Sequence, residues 1–207
     1  MEALWPVYGV APEPDGYLSL GSLFGNDRPV VLDIGFGNGE STLHAALTRP
    51  DENILGIEVH VPGVGALLKE LDENQITNVR IIRADAKDIL RHHIVPASLA
   101  GVRLYFPDPW PKKRHHKRRL VQPDFVELVV ASLEDGGRFH LATDWRPYAE
   151  HMLETLENCA SLVNESPSGD YVPRPAWRPV TRFERRGLKY DQPAHDLLYR
   201  KVKQPTQ

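Results

Sequence analysis

The sequence has a single cysteine and no long apolar run, and each shortage excludes a class of protein. Cys159 has no partner for an internal disulfide and gives no framework for a metal site, which favours a reducing, cytoplasmic setting. No run approaches the ~18 consecutive apolar residues of a transmembrane helix, and residues 1–10 lack the basic start and apolar stretch of a signal peptide. Apolar residues make up 41% of the chain, which is enough for a core and excludes global disorder.

The net charge is only −3, but the basic residues are concentrated in two segments. The basic octet, residues 112–119 with the sequence KKRHHKRR, carries +6, and the C-terminal basic segment, residues 171–207, also carries +6. The other 162 residues therefore carry −15. Such localised charge predicts a polyanion partner, because phosphate contacts supply most sequence-independent affinity for nucleic acids. The alternative is a solvated charged loop followed by a basic tail.

Short apolar runs alternate with segments of helical periodicity, which predicts one α/β domain over residues 1–207, with a mostly parallel central sheet and helices on both faces. The predicted strands are 30–34, 53–59, 79–84, 102–106, 137–143 and 195–202, and the predicted helices are 41–48, 63–74, 87–93, 124–133 and 147–158. Residues 1–27 are predicted to be an irregular lead-in, and residues 161–190 a mobile, basic segment.

The first predicted strand runs directly into a glycine-rich loop, LDIGFGNGE. Gly35, Gly37 and Gly39 permit a close approach of backbone and ligand at the carboxyl end of a strand. The dinucleotide fingerprint needs a further glycine where this chain has Glu40, whose carboxylate would repel a pyrophosphate. A ligand with a cationic amino-acid head fits better, with Asp33 interacting with its ammonium group. The alternative is a tight glycine turn beside a capping acid.

Two further acids end the next two predicted strands. Glu58 stands in GIEVH, where a nucleoside site places a carboxylate on the ribose hydroxyls, and Asp85 stands in RADA, positioned to accept from an adenine amino group. Each acid alone is more often a helix cap. Together with Asp33 they occupy three successive strand ends and predict an adenosine carrying an amino-acid tail, which indicates S-adenosylmethionine.

The fourth predicted strand leads into FPDPWP, directly ahead of the basic octet. Its prolines restrict the backbone around Asp108, whose carboxylate can accept from both the ring N–H and the exocyclic amino group of a guanine. Trp110 either stacks on a base or supports the core or loop, and support is slightly favoured. The octet would hold phosphates around this pocket. His115 and His116 are adjacent rather than at ligand spacing, so no zinc site is expected.

The fifth strand end and the C-terminal basic segment add candidate substrate contacts. Asp144 stands in ATDW, where contact with substrate and capping of the following helix are almost equally supported. The run RPVTRFERRG, residues 178–187, combines basic side chains with Phe183 and the Thr181 hydroxyl. This mixture is suited to contact with both the backbone and the bases of a nucleic acid.

These linked motifs, in this order over residues 30–187, resemble the bacterial tRNA (guanine-N7-)-methyltransferases. The resemblance implies a Rossmann-like class I methyltransferase fold. It also implies methyl transfer from S-adenosyl-L-methionine to N7 of a guanosine in the tRNA variable loop, with S-adenosyl-L-homocysteine as product. The expected partner is tRNA; no membrane and no protein partner is expected, and the chain would be a monomer or a homodimer.

The resemblance and the residue patterns together assign a role to each candidate site residue. Cofactor binding falls to Asp33, Gly35, Gly37, Glu58, Asp85 and Asp108, catalysis to Asp108, substrate binding to Lys112, Asp144, Thr181, Arg182, Phe183 and Glu184, and RNA backbone contact to Lys113, Arg114, Lys117, Arg118 and Arg119. The chain departs from the family pattern at Asp33, where glutamate is usual, and at Asp191-Gln192, where Gly-His is usual.

Guanine N7 carries a free lone pair, so its methylation needs no prior removal of a proton. Asp108 is therefore expected to orient the base and stabilise charge rather than to act as a strong general base. An amino-group methyltransferase is one alternative, because Asp108-Pro109-Trp110 distantly resembles the loops of enzymes that alkylate adenine amino groups. An RNA-binding module without catalysis is another, and an NAD-dependent oxidoreductase is weaker because of Glu40.

Overall fold

The computed structural model describes residues 3–188 and 192–203, in which helices and strands alternate. The helices are α1 (Trp5–Tyr8), α2 (Leu20–Phe24), α3 (Glu40–Thr48), α4 (Val61–Glu73), α5 (Ala86–His92), α6 (Pro123–Ser132), α7 (Arg146–Glu157) and α8 (Arg182–Leu188), with a 3₁₀ helix at Lys113–Arg118. The strands are β1 (Gly9–Val10), β2 (Val30–Ile34), β3 (Asn53–Ile57), β4 (Val79–Ile82), β5 (Leu99–Tyr105), β6 (Leu133–Thr143), β7 (Leu162–Asn164) and β8 (His195–Lys201).

The strands of the described residues form one sheet in the order β1-β4-β3-β2-β5-β6-β8-β7. The strands from β1 to β6 pair in parallel, whereas β8 runs antiparallel to both β6 and β7. Helices α5, α6 and α7 pack on one face, and α1, α3 and α4 pack on the other. The predicted α/β class, with a mostly parallel sheet between two layers of helices, is therefore confirmed.

The central strands are mostly apolar because both of their faces are covered. Every residue of β2 and β3 is buried. On α4, Leu67, Leu68 and Leu71 recur at helical spacing and are wholly buried, and burying each contributes about 1.5–3 kcal/mol. No helix of residues 3–188 and 192–203 is long and apolar enough to cross a membrane.

The lead-in, predicted to be irregular, contains α1, β1 and α2. Strand β1 adds an edge to the sheet by pairing with β4, where Gly9 lies opposite Ile81, and Tyr8 is 5% exposed in the core beside α4. The prediction is therefore wrong at these elements. They are only two to five residues long, too short for hydrophobic periodicity to reveal them.

Parts of the segment 161–190, predicted to be mobile, are built into the fold. Strand β7 pairs with β8, Val172 bridges to Asp196, and α8 follows. Arg178 is only 1% exposed. The prediction missed β7 and the buried arginine, because both depend on the distant strand β8; residues 189 and 190 lie outside the described residues.

Two different layers cover the face of the sheet opposite α5, α6 and α7. Over β3 and β4 the cover is helical and apolar. Over β5, β6 and β8 it is an irregular segment that lays Arg178 over the Tyr105 ring and points the Trp177 indole N–H at His140. The C-terminal basic segment is thus part of the fold at this point.

Candidate active site

Five predicted carboxylates lie at one edge of the sheet. Asp33 is within β2, and Glu58, Asp85, Asp108 and Asp144 follow β3, β4, β5 and β6. Because β2 to β6 are parallel, their carboxyl ends meet at the same edge. The structure therefore brings these acids together as the strand order predicts; their roles in binding stay predictions.

The glycine loop between β2 and α3 has a backbone that other residues rarely adopt. Gly35, Gly37 and Gly39 all have left-handed φ values, +68°, +58° and +81°. A Cβ at Gly39 would lie 2.5 Å from the Leu67 side chain, and one at Gly63 of α4 would lie 2.2 Å from the Gly37 carbonyl. By contrast, a Cβ at Gly35 or Gly37 would meet no described atom within 4 Å. One side of the loop is packed on α4 and the other faces open space.

Glu58 ties the glycine loop to the end of β3. Its Oε2 accepts from the Gly37 N–H at 2.8 Å, and its Oε1 accepts from the N–H groups of Val59 and His60 at 2.8 and 2.9 Å. The side chain is largely buried. The alternative role considered from the sequence was a helix cap. Because Oε1 already accepts two hydrogen bonds, the second lone pair of Oε2 is the one left for a ligand hydroxyl.

Asp85 caps α5, which is the alternative role considered for it from the sequence. Its Oδ1 accepts from the N–H groups of Lys87 at 2.8 Å and Asp88 at 3.4 Å. Both bonds end on Oδ1, so Oδ2 takes no part in the cap. Capping and ligand binding are thus compatible at this residue.

Asp33 lines a cavity of about 440 Å³ between the glycine loop and the start of α8. Its Oδ2 accepts from the Thr42 hydroxyl at 2.7 Å. Burial raises the pKa of Asp33, although the bond from Thr42 and the nearby Arg103 act in the opposite direction. Phe106 and residues 181–183 line the other side of the cavity.

The loop that carries Asp108 is strained at both ends. Phe106 and Trp110 have left-handed φ values of 53° and 42°, which are unfavourable for bulky residues. The Trp110 N–H donates to Asp108 Oδ1 at 3.0 Å, and Arg119 Nε donates to the Pro109 carbonyl at 2.9 Å. The loop therefore presents an exposed carboxylate on a constrained backbone.

Trp110 supports this loop, as favoured from the sequence. Its ring meets His115 edge-on at 5.6 Å, and the Arg118 guanidinium lies 4.9 Å from the ring centroid. Most of the octet forms the 3₁₀ helix beyond it. Its exposed cations are Lys112, Lys113, Arg114, Lys117 and Arg118.

Arg119 is the exception within the octet and corrects a prediction. It is 3% exposed, and its guanidinium lies 4.8 Å from the Tyr148 ring centroid. Burial lowers the pKa of Arg119. The prediction that it contacts the RNA backbone is wrong in this structure, because the group is already used inside the protein to hold Pro109.

The predicted substrate-binding residues at the start of α8 differ in how exposed they are. Thr181 caps the helix, since its hydroxyl accepts from the Glu184 N–H at 3.2 Å. Arg182 is exposed, and Phe183 is 56% exposed with its ring 5.3 Å from that of Phe106. Arg182 and Phe183 are therefore accessible beside the cavity.

Glu184 was also predicted to bind substrate, but its carboxylate faces inward. Its two oxygens accept from Arg178 Nη1 at 2.6 Å and Nη2 at 3.1 Å, and the residue is 5% exposed. Sequence reasoning missed this, because the inward direction of the Glu184 side chain depends on its pairing with Arg178.

Arg178 is the centre of a buried polar network that sequence reasoning missed. Its Nε and Nη2 donate to Asp196 at 2.6 and 2.7 Å, in addition to the two bonds to Glu184. His140 Nε2 lies 2.8 Å from Asp196, and the Tyr105 hydroxyl lies 2.7 Å from His140 Nδ1. In the sequence, Glu184 and Asp196 both follow Arg178 but are 12 residues apart. Nothing local shows that both acids pair with the arginine.

Burial and pairing fix the charges of this network. Burial lowers the pKa of His140, more than Asp196 raises it, so the imidazole is neutral. Burial alone would raise the pKa of Asp196, but hydrogen bonds from His140 and Arg178 outweigh it and lower that pKa. An ionised Asp196 requires the proton on His140 Nε2, which leaves Nδ1 to accept from Tyr105.

Asp144 does not cap α7, so the capping role that the sequence offered as an alternative to substrate contact is wrong. Within the described residues, no side chain makes a capping bond at the start of α7. Burial raises the pKa of Asp144. A Cβ at Gly187 of α8 would lie 3.2 Å from Asp144 Oδ2, so this carboxylate faces α8.

Over residues 3–188 and 192–203, no group of three or more His, Cys, Asp or Glu side chains is arranged to hold a metal ion.

The fold and the site together define a class I methyltransferase. An rRNA methylase from Streptococcus thermophilus has a similar structure, with a TM-score of 0.59, 15% identity, and 86% of this chain and 89% of that chain covered. The family model described as "Putative methyltransferase" matches residues 27–197. The fold predicted from the motifs is confirmed.

Two relatives narrow this class. The chain is 53% identical to a tRNA (guanine-N(7)-)-methyltransferase of Alkalilimnicola ehrlichii, covering 99% of this chain and 86% of the relative. It is 51% identical to the tRNA (guanine-N(7)-)-methyltransferase of Aeromonas hydrophila subsp. hydrophila, covering 98% of this chain and 85% of that relative. The chain belongs to the tRNA (guanine-N7-)-methyltransferase family.

Proposed function

We propose that this protein transfers a methyl group from S-adenosylmethionine to N7 of a guanosine in the variable loop of tRNA. One observation carries the proposal beyond family membership. The edge of the sheet that holds the glycine loop also holds Asp108 on a constrained loop, and the exposed cations of the octet follow directly. A cofactor pocket, a base-reading acid and a phosphate-binding surface therefore adjoin one another.

The residues at the glycine loop fit the cofactor. The open side of Gly35 and Gly37 leaves room against the backbone, and Asp33 lines the adjoining cavity of about 440 Å³. Glu58 and Asp85 keep acceptor positions for hydroxyl and amino groups beyond their structural bonds. When bound, S-adenosylmethionine supplies an activated methyl group on a cationic sulfur, and the carboxylates at this edge favour a cation.

Asp108 orients the guanine. A carboxylate can accept from both the ring N–H and the amino group of its Watson–Crick edge, which leaves N7 on the far side of the base free to react. Because N7 already has a lone pair, the residue has no proton to remove. Its contribution is alignment and stabilisation of the positive charge that develops on the ring.

The octet supplies affinity for tRNA that does not depend on base sequence. Its exposed cations have no acidic partner among residues 3–188 and 192–203, so they are available to phosphates. Phosphate contacts of this kind position the substrate and make its binding salt-dependent. With tRNA as its substrate, the protein is expected to act in the cytoplasm.

Labelled methyl transfer to a bulk tRNA pool tests this function. The purified protein is incubated with S-adenosylmethionine carrying a labelled methyl group, and the tRNA is digested to nucleosides. Label in N7-methylguanosine is expected. Label in an adenine or guanine amino group would favour the alternative methyltransferase, and cofactor binding without any transfer would favour an RNA-binding module.

A further inference from the structure

We propose that Glu40 is a positioning residue that joins the glycine loop to the start of α8. Its Oε2 accepts from the Arg182 N–H at 2.6 Å, and its Oε1 accepts from Arg185 Nη2 at 2.9 Å. Arg185 Nη1 also donates to the Val180 carbonyl at 2.6 Å. One carboxylate thus fixes both the backbone and a side chain of a segment more than 140 residues away in the sequence.

This contact is poorly suited to stabilising the whole fold. The Glu40 and Arg185 side chains are 44% and 55% exposed, and ion pairs at such exposure contribute about 0–1 kcal/mol and are screened by salt. The buried anchor of α8, between Glu184 and Arg178, lies on its other side. What Glu40 adds is therefore local: it fixes where the exposed side of α8 stands.

The position matters because the contact spans the cavity. Glu40 lines it together with Gly35 and Gly37 on one side, and residues 181–183 line it on the other. Arg182 and Phe183 are the accessible residues of that second wall. A bond between the walls sets their separation, and with it the distance between a ligand on the glycine loop and a base held at α8.

The inference rests on the proposed function and assigns a coupling role within it. A cofactor that orders the glycine loop would also order α8 through Glu40. The start of α8, which would contact the base, then takes its position only when the glycine loop is ordered. Without the contact, each substrate still has its own residues, but their relative position is less defined. Catalysis, which requires alignment, is then more affected than binding of the cofactor.

The test compares wild type with Glu40→Ala, Glu40→Gln and the matched control Glu73→Ala. Glu73 makes an exposed ion pair with Lys69 at the C-terminal end of α4, away from the cavity. For Glu40→Ala we expect kcat/KM for tRNA to fall about tenfold, with the S-adenosylhomocysteine Kd within about threefold of wild type. Glu40→Gln keeps an acceptor for the Arg182 N–H and should recover part of the loss, and Glu73→Ala should match wild type.

Hydrogen exchange gives a readout that does not depend on activity. In wild type, S-adenosylhomocysteine should slow amide exchange in residues 180–188, and in Glu40→Ala it should not. Wild-type protein that methylates no tRNA would refute the proposed function. Active wild type with Glu40→Ala equal to it in kcat/KM, or equal protection of residues 180–188 in both, would refute the role of Glu40.

Discussion

The two basic segments carry the same excess of positive charge but use it in opposite ways. In the octet, residues 112–119, five cations are exposed and only Arg119 is buried. In the C-terminal basic segment, Arg178 is buried between two acids, Arg185 pairs with Glu40, and Lys201 donates to the carbonyls of Val130 and Leu133. A basic run indicates a polyanion site only where the fold leaves its charges unpaired.

The largest effect should come from the buried cation. Arg178→Met keeps the bulk but leaves Asp196 and Glu184 buried without their partner, so we expect the free energy of unfolding to fall by about 3–5 kcal/mol in urea denaturation. Arg200→Met, which breaks an exposed pair with Glu165 at 3.3 Å, should change it by less than about 0.5 kcal/mol. Equal losses in the two variants would remove the distinction between buried and exposed cations.

The octet should respond in the opposite way. Replacing Lys112, Lys113 and Arg114 with Ala should leave stability unchanged and weaken tRNA binding. The slope of log K against log salt should become shallower by about 2–3 for three lost phosphate contacts, because fewer counterions are released. Titrations of labelled tRNA at several salt concentrations measure the slope.

Arg119→Ala is the matched control within the same run. It should lower stability by about 1–3 kcal/mol, because the Pro109 carbonyl loses a donor and Tyr148 loses its cation. Its salt slope should equal that of wild type. An unchanged slope in the triple variant, or a reduced slope in Arg119→Ala, would contradict the difference in role between the exposed cations of the octet and the buried Arg119.

A smaller effect is expected from pH. Because burial lowers the pKa of His140 in the folded state, the unfolded chain binds a proton more readily. The stability due to this group is therefore complete above the unfolded pKa of about 6.5 and is lost as the pH falls below it, by at most about 1.4 kcal/mol per pH unit. Denaturation from pH 7 to pH 5 should show a shallower decline for His140→Gln than for wild type. Identical slopes would mean that His140 does not remain neutral in the network.

Local patterns were enough to predict most of the sheet, its longer helices and the acids at its carboxyl edge. The run VVLDI followed by a glycine loop, and Glu58 and Asp85 at the next strand ends, depend only on nearby residues and on the rule that parallel strands end together. The assignment of these acids to a cofactor came from their combination. Their structural bonds to backbone N–H groups were visible only as alternatives.

The partners of charged residues could not be predicted in the same way. Arg119 looks like its exposed neighbours in a basic run, and its burial depends on Tyr148 of α7. Arg178 contacts Asp196 only because β8 pairs antiparallel with β6, which puts Asp196 beside His140. The contact of Glu40 with Arg185 joins the start of α3 to α8, and no local pattern relates these two helices. Each depends on the completed sheet.

The identity of the methylated atom is the central claim, and one measurement tests it directly. Two tRNA transcripts are compared, one with guanine and one with 7-deazaguanine at the target position of the variable loop. The modified base lacks the reactive nitrogen but keeps the Watson–Crick edge that Asp108 would contact. We expect the two transcripts to bind about equally, and only the unmodified one to accept a labelled methyl group. Full methylation of the 7-deazaguanine transcript would contradict the account and favour an enzyme directed at an amino group.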